Sequence, residues 1–473
     1  IRDRYIDAQN YPSPAFDVAS VAANIVDASA GLSEYAIESY FARLSLAYKD
    51  RYVVNATIRT DGSSRFAPDC RWGWFPSVSV GWNVSNESFW NAEKTDLKIR
   101  ASYGRTGNQD GISNYGWQAL ISGGVNYGGQ SGIAISSSGN DRLTWETADQ
   151  YNAGFDLSFL GGKINMIADV YLKNTNNLLY SKPVHATTGE TSILSNIGSM
   201  RNKGVEFTIN THLNLGKVLW SSSFNIARNV NKLTSLLEDD LLSIGANRAL
   251  KLGRTVGSWY IFRTDGIYQY DGEVPQALYD KGVRAGDVKY WDRNGDGNIT
   301  DDDRIVTGNP NPKFSGGWNN TFKYKGLELS LFFTYSYGND VYASWMIPGS
   351  KPGHTRSLLK AYADNRWTGP GTSDKYPRAI YSYSGWNGKN STMYLTDGSF
   401  IRLRSVTLGY TFPQRLVSKI HLKGLRVYAQ GDNVFLCSRY PGWDPETSVN
   451  LDPRFYGGVP QPRIFKLGVN ITF

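Results

Sequence analysis

The sequence predicts an all-β fold, a transmembrane antiparallel β-barrel. Three observations predict it. First, Phe465, Leu467, Val469, Ile471 and Phe473 alternate with Lys466, Gly468, Asn470 and Thr472. That is a strand with one greasy and one wet face, about the 9–11 residues a tilted strand needs to cross a bilayer. Second, the same period recurs along most of the chain. Third, short and long connections take turns between these runs, as in barrels with tight turns at one rim and long loops at the other.

Composition fits this reading. The 473 residues are too many for one ordinary soluble domain, and Tyr 30, Phe 20 and Trp 14 supply rings for interfacial girdles. No window approaches 18 uninterrupted apolar residues, which excludes helical spans and leaves a barrel untouched. The charge of +8 comes from scattered Lys and Arg, so there is no nucleic-acid stripe. Cys70 and Cys437 are too few for a disulfide framework, and both a single pair and two thiols stay open. The chain begins at Ile1 with no signal peptide, so export is not legible from its start.

The elements follow in order. Residues 1–35 show no strong period, and Asp17 to Ser29 is a candidate loop helix. Leu44, Leu46 and Tyr48 alternate into a turn at Lys49-Asp50, and Tyr52, Val54, Ala56 and Ile58 return. Strands follow at Pro76–Val84 and Leu97–Tyr103. The clearest hairpin runs from Tyr151 to Leu172 through Gly161-Gly162. Val205–Ile209 and Trp220–Ala227 flank Leu215-Gly216, and Trp318–Tyr324 and Leu327–Tyr335 flank Lys325-Gly326. Phe400–Phe412 slips phase near Arg404-Ser405, which predicts a bulge. Leu425–Phe435 and the terminal strand complete about thirteen.

Long segments lie near 108–141, 232–312, 344–395 and 437–461. Parity works if 232–312 is one excursion, with Ser258 to Tyr268 forming β structure outside the wall. It puts the two-residue turns in the periplasm and the long loops outside the cell. Bacterial single-chain barrels have even counts, and an odd sheet leaves edges exposed to lipid. The sequence is therefore expected to be the C-terminal part of a larger barrel: 1–35 an extracellular loop segment, 36–473 wall and loops.

Several stretches carry a family likeness. They are Asp50-Arg51-Tyr52, Arg59-Thr60-Asp61-Gly62-Ser63-Ser64-Arg65-Phe66, Phe75-Pro76-Ser77 and Leu97 to Gly104 with Thr106-Gly107-Asn108. Leu143-Thr144-Trp145-Glu146-Thr147, Asp397 to Leu403, Asp444-Pro445-Glu446 and Phe473 follow. In this order they resemble the C-terminal half of SusC/RagA-like TonB-dependent transporters from the outer membrane of Bacteroidetes-type bacteria. The resemblance implies a 22-stranded plugged barrel. It implies that the plug, the first strands and the TonB-contacting segment precede the residues seen here. It also implies energy-coupled import of glycan or peptide oligomers, as the barrel component of a SusCD-like complex. The partners would be a SusD-like surface lipoprotein as lid, TonB, and the surrounding outer-membrane lipid and lipopolysaccharide. The alternative is a soluble secreted β protein that binds or cleaves polysaccharide.

Two sets of residues are candidate sites. Asp292, Asn294, Asp296, Asn298, Thr300 and Asp303 stand at positions 1, 3, 5, 7, 9 and 12 of a loop with Gly297 at position 6. This is the spacing by which a twelve-residue loop wraps calcium, with a shorter Asp where Glu is usual. An acidic surface turn accounts for the same residues. By parity the loop lies outside, and calcium would stiffen it. In 344–395, Trp345, Trp367, Tyr381, Tyr383 and Trp386 offer flat rings to sugars or a partner protein; packing of the loop against itself is the equal alternative. Catalytic residues are not expected. The four histidines are isolated, and no nucleophile motif, phosphate loop or organic-cofactor motif occurs.

Overall fold

A computed structural model of the chain describes residues 2–10, 13, 23–91, 95–130, 132–185, 187, 189–236, 241–244, 247–349, 357–380, 385–448 and 459–473. Among the described residues, thirteen strands form one antiparallel sheet in which each pairs with its neighbours in the chain. The first four are β1 (Ile37–Tyr48), β2 (Tyr52–Ser63), β3 (Trp72–Asn83) and β4 (Thr95–Asn108). Next come β5 (Glu146–Phe159), β6 (Ile164–Asn176), β7 (Gly198–Leu215) and β8 (Val218–Leu236). The rest are β9 (Phe314–Tyr324), β10 (Leu327–Tyr337), β11 (Phe400–Thr411), β12 (Gly424–Ser438) and β13 (Ile464–Thr472). Every expected strand is present.

Register fixes the faces. Met166, Ile209, Phe224 and Trp318 lie in one cross-strand row, and the next apolar row is Ala168, Phe207, Ile226 and Gly316. The alternate rows carry Asn165, Asn210 and Ser223, or Asp169, Glu206 and Ala227. A one-residue slip would exchange the faces, so the pattern specifies the register. Apolar side chains stay exposed on one face, including Val170 at 51% and Leu467 at 88%. That is a wall wetted by lipid, not half of a soluble sandwich. On the polar face, Tyr171 lies across Gly204 and Tyr428 across Gly468, each ring occupying the space a Cβ would fill.

The two rims differ. Connections 49–51, 84–94, 160–163, 216–217, 325–326 and 412–423 lie at one end. Lys325 and Gly326 both have positive φ, the conformation that a two-residue hairpin turn requires, and Lys49 and Asp50 share it although that connection has three residues, not the two expected. Connections 64–71, 109–145, 177–197, 237–313, 338–399 and 439–463 lie at the other. One of these was not expected: 177–197, which carries a small hairpin of Leu179–Pro183 and Ser192–Asn196. The bulge is found between Leu403 and Ser405. Trp259–Phe262 and Thr264–Ile267 are strands outside the wall.

The expected loop helix over Asp17–Ser29 needs correction. Asn24–Leu32 is a strand paired with Arg2–Gln9. Long-range pairing supplies its backbone partners and overrides local propensity; residues 17–22 lie outside the described set.

Candidate functional site: the polar wall face and the folded loops

The polar face is a mosaic of amides, hydroxyls and ion pairs. Arg100 bridges Asp169 at 2.6 Å and Asp156 at 3.2 Å. Glu328 sits between Lys323 at 2.9 Å and Arg426 at 2.8 Å, and Lys466 meets Asp432 at 2.6 Å. A hollow of about 480 Å³ is lined by Asn55, Thr57, Ser77, Ser102, Gln150 and Asn152. With Arg43 also on its lining, such a surface offers mostly neutral donors and acceptors, and one cation, to a polar solute.

Among the described residues, the long loops hold most of the buried side chains. One core joins Phe262, Ile267, Tyr268, Leu278, Val288 and Tyr290, with Trp367 and Trp386 packed on it. A second joins Trp259, Ile261, Tyr342, Met346, Tyr394 and Tyr440, with Trp345 against it. Both draw on more than one connection. Asp287 is the polar hub of the first. It accepts from Arg378 Nε and Nη2 at 2.9 and 3.0 Å, from Asn387 Nδ2 at 2.9 Å and from Arg284 N at 2.9 Å. The hydrogen bond to Asp287 raises the Arg378 pKa and burial opposes it. Burial pushes Tyr362 up to about 12 and drives Tyr342 up as well, with Tyr394 adding to the latter.

The predicted aromatic contacts are distributed over these cores. Trp386 Nε1 donates to Val288 O at 2.8 Å, Trp367 Nε1 to Gln269 Oε1 at 3.2 Å, and Trp345 Nε1 to Tyr440 Oη at 2.8 Å. Their polar tips are thus engaged within the loops. Tyr381 and Tyr383 lie outside the described residues. Exposed rings occur elsewhere, at Tyr127 and Trp443, which are 91% and 82% accessible. Nothing in their sequence surroundings distinguishes them.

Motif residues far apart in sequence meet at the long-loop rim. Phe66, Phe75, Ile112, Leu143 and Trp145 form one core, and Trp145 Nε1 donates to Arg71 O at 2.9 Å. Arg402 and Asp444, each 2% exposed, pair at 2.6 Å. Arg402 Nε lies 2.7 Å from Glu446 Oε2, without the alignment of a hydrogen bond, and Arg404 Nη2 meets Glu446 Oε1 at 2.6 Å. Asp444 also accepts from the backbone of Glu446 and Gln461. This clasp ties the connection between β12 and β13 to β11. Sequence inspection finds Arg402, Asp444 and Glu446 as motif members but gives no sign that they pair.

The acidic loop is closed by its own hydrogen bonds. Asp292 accepts from Gly295 N and Gly297 N at 2.7 and 2.8 Å, and Asp296 accepts from Asn298 N at 2.7 Å. Gly295 and Gly297 both have positive φ. Asn298 Oδ1 accepts from Lys281 Nζ at 2.6 Å, and Thr300 Oγ1 receives a bond from Asp302 N. Asp303, fully buried, accepts from Arg293 N and Thr300 N at 2.9 and 2.7 Å. Among the described residues no three acidic, His or Cys groups converge as a metal centre. The turn geometry fits an oxygen-lined loop; the carboxylate at position 12 is directed to backbone amides. Cys70 and Cys437 are unpaired thiols.

A single up-and-down antiparallel sheet with one apolar face, tight turns at one rim and folded loops at the other is the wall of an outer-membrane β-barrel. The family described as TonB dependent receptor-like, beta-barrel, matches residues 2–303, and the chain belongs to that family. TonB-dependent receptor P3 of Formosa agariphila is 31% identical over 94% of this chain and 46% of its own length. TonB-dependent receptor SusC of Bacteroides thetaiotaomicron is 31% identical over 92% of this chain and 43% of its own. The RagAB peptide importer in its closed-closed state has the same fold, with a TM-score of 0.82 at 24% identity over 98% of this chain and 50% of that one. The chain spans about half the length of the curated relatives it matches. It is a SusC-like outer-membrane protein that crosses the bilayer with strands; none of its described helices is long and apolar enough to cross.

Proposed function

We propose that this chain supplies wall and outer loops to a TonB-dependent importer of glycan or peptide oligomers, working with a SusD-like surface lipoprotein. The observation that carries the reading is the difference between the rims. Tight turns at one end and a folded, charge-clasped loop assembly at the other support an extracellular binding surface above a polar passage. The loops would hold and gate an oligomer by binding, with no covalent step. The two sheet edges, β1 and β13, would be covered by further wall strands, because unpaired edges are costly in lipid. The exposed rings Tyr127 and Trp443 are the loop positions best suited to touch an oligomer or the lipoprotein.

The test is uptake by whole cells, with and without the gene, of labelled oligosaccharide and peptide mixtures. Deletion should abolish accumulation of one of the two classes, and an uncoupler should do the same in the parent. Unchanged uptake of both on deletion, or uptake that persists with the uncoupler, would sink the proposal.

A separate proposal concerns calcium at the 292–303 loop. Its support is the order of oxygen donors and the two left-handed glycines. Calcium would add only local order there. Saturating calcium at 100 times its Kd should stabilise the loop by about 2.7 kcal/mol. Asp292→Asn combined with Asp296→Asn should remove the response. Identical loop protection in calcium and in chelator, read by hydrogen exchange, would refute it.

A further inference from the structure

One patch of the lipid-facing side does not behave like the rest of it. On β7 and β8 the outward rows carry no charge from Leu213 and Trp220, through Thr211 and Ser222 and Ile209 and Phe224, to Phe207 and Ile226. The next three rows toward the long-loop rim are Val205 with Arg228, Lys203 with Val230, and Arg201 with Lys232. Four cations thus follow the uncharged rows on adjacent strands. All four are exposed.

Their partners do not neutralise them. Arg201 donates to Asn174 Oδ1 at 2.8 Å, and Arg228 lies 5.6 Å from the Phe314 ring. Neither those two nor Lys203 and Lys232 makes an ion pair with a described residue. The acid in the same outward row, Asp149, is held by Arg105 at 2.8 Å and by Tyr103 Oη at 2.8 Å. Arg201 and Lys232 are directly opposite in register, where like charges repel. Beside hydrocarbon that repulsion is less screened than in water. The arrangement is stabilised if an anion lies between the side chains.

The neighbouring surface says what kind of anion. A recess of about 650 Å³ is lined by Tyr151, Ala153, Val170, Leu172, Lys203 and Arg228. Ala153, Val170 and Val205 form a row of smaller side chains between Tyr151, Leu172 and Lys203 on one side and Phe155, Ala168 and Phe207 on the other. Tyr103 and Tyr151 pack at 5.0 Å between ring centroids, the aromatic level expected at a membrane interface. Cations thus stand where an apolar groove meets that level. Arginine and lysine together suit phosphate, arginine in a bidentate fork.

We propose that Arg201, Lys203, Arg228 and Lys232 bind the phosphates of lipopolysaccharide, with an acyl chain in the recess below. The choice of this lipid rests on the outward orientation of the long loops proposed above, because that leaflet carries it.

Native mass spectrometry of the intact protein, extracted from outer membranes in mild detergent, tests the site. The parent should retain lipopolysaccharide. R201Q/K203Q/R228Q/K232Q should lower retention at least tenfold. K49Q/K163Q/K217Q/K325Q, which removes four charges from the tight-turn rim, should leave it unchanged. R201Q/K232Q serves if the fourfold variant does not fold, as judged by the heat-dependent gel shift of the barrel. Equal retention in parent and variant overturns the site, as does an equal loss in the rim control. Retention of phosphatidylglycerol instead, lost in the same variant, also overturns the proposed ligand. Protease cleavage of the long loops on whole cells then reads the orientation independently.

Discussion

Strand β8 and the connection that follows it are adjacent in the chain and are stabilised differently. Over Leu219–Ala227 of β8 the backbone is paired on both sides, with β7 and β9, and outward side chains face lipid. The neighbouring Trp318 is 44% exposed, so little of this segment's order comes from side-chain burial within the chain; beyond it, toward the long-loop rim, β8 buries Leu233 in a core with Ile197 and Leu250. In 237–313 the regular strands are only three or four residues long. Yet Trp259, Ile261, Leu278 and Val288 there are at most 2% exposed. The conventional hydrophobic core of this membrane protein lies in its loops. A wall can therefore tolerate polar change on one face, while the loops depend on particular buried partners.

The sharpest way to break that contrast is at the clasp. Arg402→Ala would leave Asp444 buried without its cation, a loss of about 3–5 kcal/mol for a broken buried pair. The loss should be local. Proteolysis between β12 and β13 should rise steeply while the urea midpoint of the wall stays put. R402M/D444L should recover much of it, because well-packed apolar replacements of buried pairs are often neutral. A wall that unfolds together with the clasp would erase the distinction.

Asp287→Ala tests the first loop core in the same way. It strips Arg378 and Asn387 of a shared acceptor. The expected cost is about 3 kcal/mol, toward the lower end for such pairs because Arg378 is about a third exposed. Trp367 and Trp386 should report it as a red shift of emission. Unchanged emission and hydrogen exchange would show that the hub is dispensable.

The wall is tested by neighbours that face opposite ways. Ile209 is on the apolar face and Thr208 on the polar one. Ile209→Lys should destabilise the protein in vesicles by about 2–4 kcal/mol if it lies near the bilayer midplane. Thr208→Lys should change stability by less than about 0.5 kcal/mol. Equal costs would contradict the assignment of faces.

This same contrast decides what could be seen in the sequence. The wall was legible because one period-two rule governs every strand and the tight turns bound it: Tyr151–Leu172 shows both strands and the turn without outside information. The bulge near Ser405 was visible as a phase slip. The loop partnerships were not legible. Asp287 and Arg378, or Arg402 and Asp444, are separated by tens of residues, and their pairing depends on how the loops fold back. The same holds for Trp345, Trp367 and Trp386, whose composition fits ligand contact and loop packing equally. The strand at Asn24–Leu32 was missed because its partner at Arg2–Gln9 has no strong period of its own.

Alkali offers the mildest probe of the two regions. Tyr342 and Tyr362 are buried in the loops, and burial raises both pKa values, Tyr362 to about 12. A raised value means that the folded loops favour neutral phenol. The sign follows: this contribution is complete below the ordinary tyrosine value of about 10 and is lost as pH rises through the folded value. Between roughly pH 10 and 12 the loops should therefore weaken while the wall, whose backbone ladder does not titrate, holds. Tyrosinate absorbance should show a late-titrating fraction that shrinks in Tyr362→Phe, with the barrel gel shift intact throughout. If the loops keep their hydrogen-exchange protection past pH 12, or if the wall opens with them, the two regions are not separately stabilised.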